Sequence, residues 1–130
     1  MHSTHIKGLI GELEFTSRLL KLGYTVYKPI NSNSSCDLVI EKNTIFQRIQ
    51  IKYLTPKKGM LRVELDRPKK RQNKYQYRGV DAMGIYDATH QSFYLIPLAN
   101  VSNKSELWIR IEKPKNNQIK DIHLAKDYAI

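Results

Sequence analysis

The sequence predicts a mixed α/β domain. Two patterns carry this expectation. Apolar residues at Ile6, Leu9, Ile10, Leu13 and Leu20 recur at the spacing of one helical face. After them come short stretches rich in β-branched and aromatic residues, separated by polar turns. The chain has 130 residues, enough for one domain and little room for a second core.

The elements follow in order. Ser3 or Thr4 can cap the first helix and Gly23 ends it. Tyr24 to Ile30 reads as a strand, Asn31 to Ser35 as a polar turn, and Asp37 to Glu41 as a short apolar strand. Lys42-Asn43 makes a tight turn into a longer strand, Thr44 to Leu54, which completes an antiparallel meander. Met60 to Asp66 alternates, with Leu61, Val63 and Leu65 on one face and Arg62, Glu64 and Asp66 on the other. Residues 67–78 then carry six basic side chains among twelve and read as an exposed loop or short helix. Ala82 to Asp87 and Ser92 to Pro97 form a buried hairpin turning at Thr89-His90-Gln91. Glu106 to Glu112 is a further strand, and Asn117 to Tyr128 is a closing helix after Pro114.

Composition narrows the function. Lys and Arg number 22 against 12 Asp and Glu, a formal charge of +10. Such an excess suits a polyanionic partner, above all nucleic acid. No apolar run is long enough for a membrane span, and the first residues lack the order of a signal peptide. The single cysteine, Cys36, can make no internal disulfide, which points to the reducing cytoplasm. The four histidines are scattered, and no CxxC or HxxxH pair offers zinc ligands. Gly84-Ile85-Tyr86 lacks the second half of a GIY-YIG nuclease motif, because Tyr94-Leu95-Ile96 reads as a core strand.

One constellation carries chemistry. Strand side chains alternate, so Gln50 and Lys52 share a face, roughly 7 Å apart, while Ile49 and Ile51 pack on the other. The turn at Lys42-Asn43 brings Asp37 close to opposite Gln50. On the first helix two glutamates compete. Glu14 shares its side with Lys7, Arg18 and Lys21 and can pair with Arg18. Glu12 lies between Leu9 and Leu19, with Phe15 nearby. A carboxylate among apolar neighbours is costly unless paired or bound to a metal, so Glu12 is the functional candidate. Taken singly, each residue could be a strand cap or part of a solvated face. The ordered set on helix, strand and strand is more specific.

Lys7-Gly8, Glu12 on a first helix, Asp37-Leu38-Val39-Ile40 and Gln50-Ile51-Lys52 together resemble the PD-(D/E)XK nuclease superfamily. The resemblance is nearest to a small branch containing Holliday-junction resolvases and a cyanobacterial group I intron homing endonuclease. It covers residues 6–54 best and extends more weakly over 81–98. Cys36 stands at the proline position of the family name. Gln50 replaces the acidic residue before Lys52, as in the glutamine variant of that homing enzyme. The resemblance implies an α/β restriction-endonuclease-like core, a mixed β-sheet flanked by helices. It also implies a metal-dependent, site-specific DNA endonuclease, with Glu12, Asp37, Gln50 and Lys52 catalytic.

The residue types suit that chemistry. Phosphodiester hydrolysis uses a divalent ion to polarise the phosphate and acidify a water. Asp37 is the expected central ligand for Mg²⁺ (or Mn²⁺), with Glu12 a second, possible through water. Gln50 offers only a neutral carbonyl oxygen, which positions water without adding charge. Lys52 orients the attacking water or meets developing negative charge.

Double-stranded DNA is the expected partner. Arg67, Lys69, Lys70, Arg71, Lys74 and Arg78, with Tyr75 and Tyr77 interleaved, are candidates for phosphate contact within a basic insert over about 60–80. Arg62 and Glu64, on the exposed face of the strand entering it, are candidates for reading base edges. Trp108, between Leu107 and Ile109, is expected in the core or an interface. Cutting both strands needs two such sites, so a homodimer or homotetramer is expected. Junction resolution, restriction, a decayed core that only binds DNA, and RNA binding are the competing functions.

Overall fold

The computed structural model describes residues 2–31, 33–66, 75, 78–101, 104–112 and 122–130. Helix α1 spans Thr4–Lys21, with the Ser3 hydroxyl accepting the Ile6 N–H at 3.2 Å. At its end Gly23 takes φ +91, open to glycine at no steric cost, and the Tyr24 N–H closes on the Leu19 carbonyl.

Among the described residues eight strands follow: β1 Thr25–Tyr27, β2 Leu38–Lys42, β3 Ile45–Leu54, β4 Met60–Glu64, β5 Ala82–Asp87, β6 Ser92–Pro97, β7 Glu106–Arg110 and β8 His123–Leu124. A mixed sheet runs β1-β2-β3-β5-β6, antiparallel except for the parallel pair β3–β5. The antiparallel start matches the expected meander. The turn sits one residue later than expected, with Asn43 and Thr44 both at positive φ, the conformation that matches hairpin twist.

The parallel β3–β5 pair needs a crossover, and β4 lies on it. Strand β4 leaves the main sheet and pairs with β7, which pairs with β8, as a second sheet. The sequence did not foretell this sheet, because β4 and β7 are distant along the chain. The expected closing helix is replaced, in its described part, by β8 and a 3₁₀ turn at Ala125–Tyr128; residues 117–121 lie outside the described residues. Among the described residues α1 is the only α-helix, so the second face of the main sheet is covered by a sheet and not by helices.

Two apolar clusters sandwich the main sheet. Phe15 and Leu19 of α1 pack on Leu38, Ile40, Ile49 and Ile51. On the other side Leu61, Val63, Leu107 and Ile109 pack on Met83, Ile85 and Ile96. Every residue of β5 is buried, as expected of a strand covered on both faces.

The docking face of α1 differs from the expected stripe. Gly11, Phe15 and Leu19 are buried, whereas Ile6, Leu9, Leu13 and Leu20 are exposed, Leu13 by 60%. Only Ile10 of the expected set reaches the core. At about 100° per residue these are nearly opposite sides of the helix. Close approach decides between them. A Cβ on Gly11 would lie 3.2 Å from the Tyr53 Cβ, and one on Gly84 would lie 2.9 Å from the Phe15 ring. Trp108 is 42% exposed on the outer face of β7, while its neighbours Leu107 and Ile109 fill the core.

Candidate active site

Asp37 immediately precedes β2. Its N–H donates to the Ile49 carbonyl at 2.8 Å, and its Oδ2 accepts the Ile51 N–H at 2.8 Å. These two bonds bracket Gln50 and fix the aspartate across from it. Register Leu38↔Ile49 gives the same placement. Ile49 and Ile51 are buried under α1, so the alternating Gln50 and Lys52 project to the other face, both half-buried.

Asp37, Gln50, Tyr75 and Arg78 line a cleft of about 300 Å³ with Asn33, Ser34 and Ser35 of the polar turn. The Ser35 hydroxyl donates to the Arg78 carbonyl at 2.9 Å and ties the two walls together. Cys36 is a buried free thiol beside this loop.

Lys52 Nζ donates to the Tyr75 hydroxyl at 2.8 Å and lies 5.0 Å from the ring centroid. Tyr75 is 4% exposed and belongs to the core between the sheets. The expectation of a tyrosine presented to phosphate is therefore replaced by one turned inward onto the lysine.

On α1, Glu12 is sheltered and Glu14 exposed, and the Glu12 charge acts on Asp37. Arg18, the expected partner of Glu14, donates instead to the Ile130 carbonyl at 2.8 Å. Glu12 accepts from Lys28 Nζ at 2.6 Å, with side chains 20% and 65% exposed. Sequence reasoning passed over Lys28. The β1–β2 register held the signal: Tyr27 pairs with Val39, so the next residue arrives beside Leu38 and Asp37.

The electrostatics bind these residues together. Burial pushes the Asp37 carboxyl above its ordinary value, the Ile51 N–H opposes this, and the Glu12 charge adds to it. Lys52 and Lys28 pull the other way. Glu12 holds the Lys28 ammonium above the usual lysine range. Two carboxylates and one amide oxygen form a hard, oxygen-only donor set. Asp37 Oδ2 is taken by the backbone, which leaves Oδ1 without a hydrogen bond among the described residues. No group of three or more His, Cys, Asp or Glu that could hold a metal ion occurs among them. Such a sparse set fits a divalent ion that keeps several of its waters.

The other candidates lie elsewhere. Arg62 is held between Glu64 at 2.6 Å and Glu106 at 2.7 Å on the outer face of the β4–β7 pair. It borders a second cleft of about 370 Å³ with Lys7, Tyr53, Lys57 and Trp108. Arg67, Lys69, Lys70, Arg71 and Lys74 lie outside the described residues.

This chain is similar to known proteins. A bacterial homing endonuclease, I-Ssp6803I, superposes with a TM-score of 0.75 at 26% identity, over 98% of this chain and 89% of that one. Protein 5.3 of Escherichia phage T7 is 36% identical over 55 residues, which are 42% of this chain and 47% of the phage protein. This chain therefore aligns with less than half the length of that relative. The PD-(D/E)XK endonuclease family matches residues 2–130. That family generally uses divalent metal ions. With Asp37 leading into β2, Gln50 and Lys52 on the neighbouring β3, and a family match spanning almost every residue, the chain belongs to the PD-(D/E)XK endonuclease family.

Proposed function

We propose that this protein is a Mg²⁺-dependent (or Mn²⁺-dependent), site-specific endonuclease that hydrolyses phosphodiester bonds in double-stranded DNA, in a homing role. One observation carries the reading: Asp37 and Gln50 face a single cleft, with Lys52 beside them and Glu12 in electrostatic reach. The similarity to a homing endonuclease over nearly the whole of both chains favours homing over junction resolution or restriction.

Asp37 Oδ1 and Glu12 would hold the ion. Bound there, it supplies Lewis acidity toward the phosphate and an acidified water. Gln50 contributes its carbonyl oxygen and orients water without adding charge. Lys52 aims an ammonium at the phosphate, where negative charge grows during attack. Arg78 lines the cleft wall and in this reading meets the DNA backbone, with the basic segment around it supplying further phosphate contacts. Residues 1–130 form a single nuclease domain in this reading, with a DNA-contacting segment over about 60–80. The described helices include none long and apolar enough to cross a membrane, and the free Cys36 suits the cytoplasm.

A single site cuts one strand, so the proposal includes a homodimer or homotetramer. The exposed stripe on α1 supports it. Ile6 and Leu20 lie seven residues either side of Leu13. Antiparallel packing across a two-fold axis would set Leu13 against its own copy and Ile6 against Leu20 of the partner subunit.

Supercoiled plasmid incubated with Mg²⁺, and separately with EDTA, tests the reading. Nicking or linearisation in Mg²⁺ alone is expected. An inactive wild type that still binds DNA would instead mark a decayed core.

A further inference from the structure

We infer that Tyr75 is the positioning residue for Lys52, an inference that rests on the nuclease reading above. Lys52 carries its charge on four rotatable carbons, and an ammonium that wanders cannot hold a reacting phosphate in line. Something must fix it. Among the described residues, the Tyr75 hydroxyl is the only hydrogen-bond partner of Lys52, at 2.8 Å.

Tyr75 is itself held firmly. Its N–H donates to the Leu65 carbonyl at 3.1 Å, and its own carbonyl accepts from Arg78 at 3.0 Å and Val80 at 3.1 Å. The ring packs in the cluster between the two sheets. The phenol oxygen is thus fixed by the fold, and it fixes the lysine in turn. An ammonium has three N–H donors. One is spent on Tyr75, and two remain for substrate.

The alternative use of an aromatic in a basic segment is to stack on a base or touch a phosphate. Burial argues against that here, because a ring 4% exposed leaves too little face for a base to stack on. Tyr75 also lies in the chain between Lys74 and Arg78. The segment proposed to grip the DNA backbone therefore carries the side chain that aims the catalytic lysine.

The test uses the full-length protein and Tyr75→Phe, which keeps the ring and removes the hydroxyl. Thermal melting checks the fold. At saturating DNA and Mg²⁺ the cleavage rate should fall about ten-fold, the order expected for one lost hydrogen bond. DNA affinity, read by fluorescence anisotropy in EDTA, should stay within about two-fold on the same argument. Independently of turnover, a ¹H–¹⁵N NMR signal from the Lys52 ammonium should be visible in the wild type and lost in Tyr75→Phe. A variant that cuts at the wild-type rate overturns the inference. So does a loss carried by DNA affinity, or an ammonium signal that survives. A wild type that never cuts DNA overturns the nuclease reading instead, and the ammonium signal still reports on the contact.

Discussion

Lys28 is the sharpest lever on the proposed metal site, because it holds the carboxylate that a metal would use there. Its Nζ lies 2.6 Å from Glu12 Oε1, and its charge also acts on Asp37. With the Lys28 side chain 65% exposed, solvent screens the pair strongly. Pairs of this kind contribute roughly 0.2–1 kcal/mol. A divalent ion that takes Glu12 must first displace the ammonium and lose that much. We predict that Lys28→Met raises divalent-ion affinity by up to about five-fold, the equivalent of about 1 kcal/mol. Lys28→Arg should leave it near wild type. Calorimetric titration with Ca²⁺, without DNA and at one pH for both proteins, reads the affinity directly. The gain should shrink as salt rises, since screening already weakens the pair. Unchanged or weaker binding by Lys28→Met would refute the argument that this lysine competes with the ion.

Asp37→Asn should abolish cleavage and leave DNA binding intact, as read by plasmid nicking and mobility shift. Burial raises the Asp37 carboxyl, so the folded protein binds that proton more readily than the unfolded chain does. The ionised group therefore costs stability above its folded pKa, and the cost vanishes as pH falls through it. Metal-free Asp37→Asn should melt higher than wild type at neutral pH, the difference closing in acid; an equal gap at every pH would contradict this. Gln50→Glu should keep cleavage and lower the Mg²⁺ concentration required, since a carboxylate attracts the ion more strongly than an amide. Identical magnesium titrations would remove Gln50 from the site. Leu13→Glu, at the centre of the exposed stripe, should shift sedimentation toward monomer without lowering the melting temperature. An unchanged sedimentation profile would place the subunit contact elsewhere.

Much of the site could be read from the chain. Period-two alternation put Gln50 and Lys52 on one face, and the turn before β3 set Asp37 against them. Apolar neighbours separated Glu12 from Glu14. What escaped depends on contacts between distant segments. Both sides of α1 carry apolar residues, and hydrophobic spacing favoured the wrong one. Gly11 and Gly84 admit the Phe15 side to the sheet, and a glycine adds nothing to an apolar pattern. Tyr75 read as exposed because its neighbours are basic, yet the crossover between sheets turns it inward. The second sheet was hidden because β4 and β7 pair across more than forty residues.

The closeness of α1 to the main sheet has a consequence for the ion itself. The backbone of Gly11 lies over the Tyr53 Cβ, and a Cβ added there would sit 3.2 Å from it, tight enough to push the two apart by a few tenths of an ångström. Each residue of that contact has a chemically active neighbour: Glu12 follows Gly11, and Lys52 precedes Tyr53. The gap between helix and strand is therefore also the span between the outlying carboxylate and the strand carrying the lysine. In the proposed site, Gly11 and Tyr53 would act as a spacer that sets the distance between these two groups from outside it. Ions differ in size by a few tenths of an ångström, with ligands at about 2.0–2.1 Å for Mg²⁺ and 2.3–2.6 Å for Ca²⁺. One methyl group at position 11 would force a displacement of that same order. The choice of ion in such a nuclease can thus be tuned by a residue that never touches metal, water or DNA.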